Sequence, residues 1–162
     1  MAQADVTPPD FTLRGLDGRE YALHEATGKG PVVLAFWQKN CGACKLSAPY
    51  WNRLYDAYEN LTWSFWTIAQ DGDDEAAAFV RDFEFRPTVL IDAPSFAVSR
   101  QYDPDATPTL YVIEPERGVT MVSSGFVKDE LNEISRTIAA YSGTDVVEVA
   151  PDNDGNPKFK PG

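Results

Sequence analysis

The apolar positions follow two periods along the chain. Val32-Val33-Leu34-Ala35-Phe36-Trp37 is an unbroken apolar run of strand length. Strands buried on both faces read this way, as in a parallel or mixed sheet covered by helices. Trp63 to Ala69 is a second such run, and Thr88 to Ile91 and Thr109 to Ile113 are shorter ones. Glu114 to Gly118 reads as a turn and Val119 to Ser124 as the returning hairpin strand. The helical period appears between them. Leu46, Tyr50, Leu54, Tyr58 and Leu61 recur at steps of four, four, four and three, one face of a helix. Pro49 lies inside that pattern and is expected to kink it. Asp73 to Phe83 reads as a helix whose acidic first turn suits the helix dipole. Ser95 to Tyr102 reads as a further helix. Leu131, Ile134, Ile138 and Tyr141 mark an amphipathic last helix that Gly143 can end. Upstream, Phe11 to Leu13 and Tyr21 to Leu23 flank the turn signal Gly15-Leu16-Asp17-Gly18 and predict a small hairpin.

Strands alternating with helices imply a parallel part, and the late hairpin adds an antiparallel part. The fold class is therefore α/β, a mixed central sheet covered by helices and preceded by a β-hairpin. The chain of 162 residues fits one domain over residues 1–150, with a polar tail over 151–162 rich in Pro, Asn and Asp. An apolar content of 43% with 12% aromatics excludes global disorder. No apolar run reaches about 18 residues, so no transmembrane helix is predicted. The net charge of -11 repels phosphate backbones and anionic lipid, which argues against nucleic acid and membrane surfaces as partners. Met1-Ala2-Gln3-Ala4-Asp5 carries neither a basic segment nor an apolar core. The expectation is a cytoplasmic protein; the alternative is an exported or periplasmic one whose signal has been removed. A monomer is the default for such a domain.

The two cysteines stand together as Cys41-Gly42-Ala43-Cys44. Two cysteines cannot build a multi-bridge scaffold. With His24 as the one histidine, they complete no Cys2His2 zinc set either, and no metal is expected. A C-x-x-C pair between a strand and a helix reads as a redox motif, with an inert pair and a metal half-site as the other readings. Cys41 would start the helix and Cys44 would lie one turn in, close enough for their sulfurs to bond. Helix N-terminal amides favour a thiolate on Cys41, and Lys39 and Lys45 would add positive charge if near. Cys44, more buried, would resolve a mixed disulfide.

The run Gly30-Pro31 to Trp37, three residues, then Cys41-Gly42-Ala43-Cys44-Lys45 resembles the thioredoxin superfamily, in its TlpA-like or redoxin (AhpC-TSA-related) branch. Pro8-Pro9-Asp10-Phe11-Thr12-Leu13 with Leu16-Asp17-Gly18, the helix proline Pro49, Val89-Leu90-Ile91-Asp92 and Thr107-Pro108-Thr109 extend the likeness over about Thr7 to Gly143. The resemblance implies a three-layer thioredoxin-like fold and a thiol–disulfide oxidoreductase without cofactor. Its implied partners are a protein disulfide and a dithiol electron donor. It gives Pro108 a cis bond that brings the Thr107 backbone beside the sulfurs, where a substrate chain would pair. Trp37 and Asn40 join Thr107 and Pro108 as expected substrate-binding residues, Trp37 by presenting an aromatic surface; core packing is the other reading of Trp37.

Several positions depart from the family pattern. Ala35 stands where many members carry a buried acid, and Ser47 where some carry a glutamate, so Cys44 lacks the usual proton acceptor. Asn40 replaces a common tryptophan. Gln38 stands where peroxiredoxins carry a threonine, and neither Arg86 nor Arg100 marks the arginine that assists them. A thiol peroxidase using Cys41 is therefore the alternative function, with a non-catalytic binding domain the third. His24 reads as a surface histidine, Asp71 to Glu75 as a helix start, and Asp152 to Asn156 fails the calcium-loop pattern.

Overall fold

The computed structural model describes residues 6–162. The start on which the targeting reading rests, Met1 to Asp5, lies outside the described residues. The first pieces are the hairpin β1 (Thr12–Arg14) and β2 (Glu20–Ala22), paired antiparallel, and a short helix α1 (Leu23–Thr27). His24, expected between hairpin and loop, is an exposed residue of α1 with its ring nitrogen 3.4 Å from Asp10.

The central elements follow as β3 (Val32–Trp37), α2 (Gly42–Ala57), β4 (Ser64–Ala69), α3 (Asp73–Phe83) and β5 (Thr88–Ile91). Then come α4 (Ala97–Tyr102), β6 (Thr109–Glu114), β7 (Gly118–Ser124), β8 (Phe126–Val127), α5 (Lys128–Ser142) and β9 (Phe159–Lys160). The main sheet has the order β5-β4-β3-β6-β7. β3, β4 and β5 run parallel, while β6 opposes β3 and β7 opposes β6. This is the mixed sheet that the alternation of patterns predicts.

All six residues of β3 are fully buried, because each face of the sheet is covered. Val33, Ala35 and Trp37 join one core with residues of α2, α3 and α5. Val32, Leu34 and Phe36 join a second core with Phe11, α1 residues and Val98 and Tyr102 of α4. Each such aliphatic or aromatic side chain contributes about 1.5–3 kcal/mol of burial, so β3 is the spine that fixes its own C-terminal end. That end is where the cysteines follow.

The α2 pattern stops earlier than its last apolar position suggests. The helix ends at Ala57, and Asn60 takes a positive φ of 69°. Tyr58 is held by tertiary bonds instead: its hydroxyl meets Ser135 Oγ at 2.7 Å and accepts from Val147 N–H at 3.0 Å. Residues 151–162 fold back over the body. Lys128, the first residue of α5, is 0% exposed, and its Nζ donates to Asp154 Oδ1 at 2.6 Å and to the carbonyls of Pro151 and Asn156. Asp154 also accepts from the Tyr50 hydroxyl. Beyond this anchor β9 pairs antiparallel with β8. Among the described residues, no helix is long and apolar enough to cross a membrane.

Candidate active site

The chain leaves β3 at Trp37 and enters α2 at Gly42, and Cys41 is the N-cap of that helix. Its backbone is extended, with φ -101° and ψ 118°. Its Sγ accepts a hydrogen bond from the Cys44 amide at 3.1 Å. A helix start leaves amide donors without partners, and a cap atom usually supplies an oxygen; here it is sulfur. The same Sγ donates to the Thr107 carbonyl at 3.1 Å. Both cysteines are free thiols, Cys41 partly exposed and Cys44 buried.

The two thiols are tuned in opposite directions. The Cys41 pKa is lowered to about 6, chiefly by the hydrogen bond from the Cys44 thiol. Partial burial opposes this, and Thr107 and the Cys44 and Ala43 amides assist it. The expected help from Lys39 and Lys45 is not among these causes. The Cys44 pKa is raised, first by burial and then by its bond to Cys41. Thiolate is therefore favoured on Cys41 near neutral pH, while Cys44 keeps its proton.

Thr107 and Pro108 sit opposite the cysteines on the approach to β6, joined by a cis bond. Thr107 is half-buried and Pro108 buried, and the Pro108 carbonyl accepts from the Gly125 amide at 2.7 Å. Asn40 is exposed immediately before Cys41. Trp37 lies elsewhere in the layers than the partner-facing expectation put it. Its side chain is 0% exposed and stacked on Phe79, with centroids 4.1 Å apart, so it presents no surface to a partner. Its position at the end of a strand covered on both faces buries it, and it supports the site from below.

The departures from the usual acids are confirmed in space. Ala35 is buried in the same core as Cys44, and Ser47 turns its hydroxyl back to the Ala43 carbonyl at 2.7 Å. Gln38 is exposed and donates to Gln70 at 2.7 Å. Arg86 pairs with Asp56, and Arg100 donates to the Ser95 carbonyl, so both arginines are engaged on the surface. Sequence patterns gave no sign of the buried Lys128 or of its Asp154 partner, since a lysine opening a helix is ordinarily a solvated charge.

A family model described as the AhpC/TSA family matches residues 5–122. The chain belongs to the AhpC/TSA family. Two relatives to which the chain is similar are thiol–disulfide oxidoreductases ResA. That of Bacillus thuringiensis subsp. konkukian is 30% identical over 134 residues, covering 80% of this chain and 75% of its own. That of Geobacillus thermodenitrificans is 30% identical over 125 residues, covering 76% and 71%. A structure from Chlorobium tepidum, assigned as a thiol:disulfide interchange protein DsbE, superimposes with a TM-score of 0.76 at 26% identity. It covers 88% of this chain and 100% of that one. The redoxin chain is thus a thioredoxin-like thiol–disulfide oxidoreductase.

Proposed function

We propose that the Cys41–Cys44 dithiol reduces disulfides in protein substrates and is itself restored by a dithiol donor. The observation that carries this is the pairing at the start of α2 of a partly exposed thiol lowered to about 6 with a buried thiol shifted upward. The Cys41 thiolate attacks one sulfur of the substrate disulfide. A Cys41–substrate bond forms, the substrate S–S bond breaks, and one substrate thiolate leaves. Cys44 then loses its proton and attacks the Cys41 sulfur. The Cys41–Cys44 disulfide forms, and the second substrate sulfur leaves and takes up a proton. Two electrons pass from protein to substrate, and a donor dithiol returns them by the same exchange. The scheme runs on thiols alone.

Thr107, Pro108 and Asn40 frame the exposed side of Cys41 and are the residues proposed to meet the substrate chain; Trp37 positions the site. The experiment is a trapping pair. Cys44→Ser should accumulate a mixed disulfide through Cys41 when mixed with an oxidised protein such as insulin. Cys41→Ser should form none and should lose dithiol-dependent insulin reduction. Full reduction by Cys41→Ser would sink the assignment. The compartment is proposed to follow the potential of the pair. A value near or below about -250 mV fits a cytoplasmic reductant, and one above about -200 mV fits exchange outside the cytoplasm.

A further inference from the structure

Residues 158–162 lie along the partly exposed flank of Cys41 as a strap. β9 pairs with β8, with Phe126 opposite Lys160 and Val127 opposite Phe159, and the Lys128 amide donates to the Lys158 carbonyl at 3.0 Å. The strap then passes Gly125 so closely that a methyl group there would lie 2.8 Å from the Lys160 carbonyl oxygen. Its Lys160 side chain lies over Gly42, with Cε 3.4 Å from where a methyl on Gly42 would stand. Gly162 lies against the Thr107 carbonyl, and a methyl on Gly162 would run into that oxygen. This is the carbonyl that accepts from Cys41 Sγ at 3.1 Å. The strap therefore passes Gly42 and reaches the Thr107 carbonyl, both of them in the surroundings of the Cys41 sulfur.

Two further features describe how the strap is held. Upstream, Lys128, Asp154 and Tyr50 fix the chain through buried or half-buried bonds as far as Asn156. Downstream, the contact is a two-residue ladder whose side chains face solvent, with Phe159 57% exposed. A ladder that short buries little apolar surface and is readily exchanged for another strand. The anchor at Lys128 is buried, whereas residues 158–162 are all exposed.

We propose that the surface under the strap, formed by the β8 edge, Gly42 and the Thr107 backbone, is the docking strip for the substrate, and that residues 158–162 stand in for it. The partner is an extended peptide segment next to a disulfide. It displaces β9, adds to β8 as an antiparallel strand and brings its sulfur to Cys41. Small disulfides reach the sulfur without needing the strip, so the strap selects between substrates by size and extension. This inference rests on the oxidoreductase reading above.

The test uses Gly162→Val in the full chain. Thr107 belongs to the folded body and cannot yield, so the valine side chain pushes the strap end away. The KM for an oxidised, disulfide-looped peptide should fall by at least threefold with kcat unchanged. The rate with bis(2-hydroxyethyl) disulfide should stay within twofold, because the Cys41 chemistry is untouched. An unchanged KM for the looped peptide overturns the strap while leaving the oxidoreductase reading intact. Equal acceleration with both disulfides also overturns it, since that marks a change at the sulfur. Turnover of neither disulfide by either protein overturns the oxidoreductase reading and the strap together.

Discussion

At Cys41 one backbone amide serves two ends. The Cys44 N–H satisfies a donor that the start of α2 leaves over, and it places positive charge beside sulfur. The bond from the Cys44 thiol, assisted by this amide, lowers the Cys41 pKa to about 6, so thiolate is the main form at pH 7. The rate of alkylation by iodoacetamide should therefore rise with pH to a midpoint about 6 and be flat above about 7.5. A midpoint near the free-thiol value of about 8.5 would contradict the site's electrostatics. Cys44 behaves in the opposite sense: burial and its bond to Cys41 raise its pKa, and alanine and serine stand where the family pattern carries its acids. Resolution of the mixed disulfide should accordingly limit turnover and accelerate as pH rises from 7 to 9, which acid-quenched trapping would show. Trp37 is a core residue at this scale. Trp37→Phe keeps the stack on Phe79 and should leave KM for a protein disulfide within twofold, whereas Trp37→Ala should cost about 3–5 kcal/mol in urea unfolding.

Among the elements, α5 carries the charge that organises the last segment. Lys128 is desolvated, and three acceptors surround its ammonium. Removing one member of a buried pair leaves the other groups unmatched, and Lys128→Ala should lower stability by about 3 kcal/mol. The pH dependence has a definite sign. The Asp154 carboxyl is held below the usual carboxylate range, first by Lys128, then by Tyr50 and the Asn156 amide. Its pKa is depressed by folding, so its contribution is fully present above the unfolded value near 4 and fades as pH falls toward the folded one. The stability gap between wild type and Lys128→Ala should be constant from pH 8 to 5 and shrink below pH 4. A gap that closes between pH 7 and 5 would place the linkage on another group.

For the whole molecule, the reduction potential integrates these local effects. A thiolate stabilised in the dithiol state makes that state easier to keep and the disulfide more oxidising. Thioredoxin, with a nucleophile pKa near 7, has a potential of about -270 mV. Lowering that pKa to about 6 favours the dithiol roughly fivefold at pH 7, equivalent to about 20 mV. The Cys41–Cys44 pair is thus expected near about -250 mV, measured by mass after thiol trapping in graded dithiol buffers. A value below thioredoxin's would mean that the Cys41 thiolate is not the stabilised species.

The sequence by itself determined what depends on periodicity and neighbours. The runs at Val32–Trp37 and Thr88–Ile91, the helix at Asp73–Phe83 and its acidic first turn all form where their patterns lie, because burial and dipole preferences act locally. The C-x-x-C pair at a helix start, with its thiolate-prone first sulfur, was equally legible. Tertiary structure decided what depends on distant residues meeting. α2 stops short of Leu61 because Tyr58 is claimed by Ser135 and Val147, 77 and 89 residues away. Trp37 turns inward because α3 brings Phe79 onto it. Lys128 is buried because the chain returns with Asp154 to meet its charge. The polar segment 151–162 reads from composition as a tail, since its stabilising bonds are to backbone and to partners more than 20 residues away, which no local pattern records.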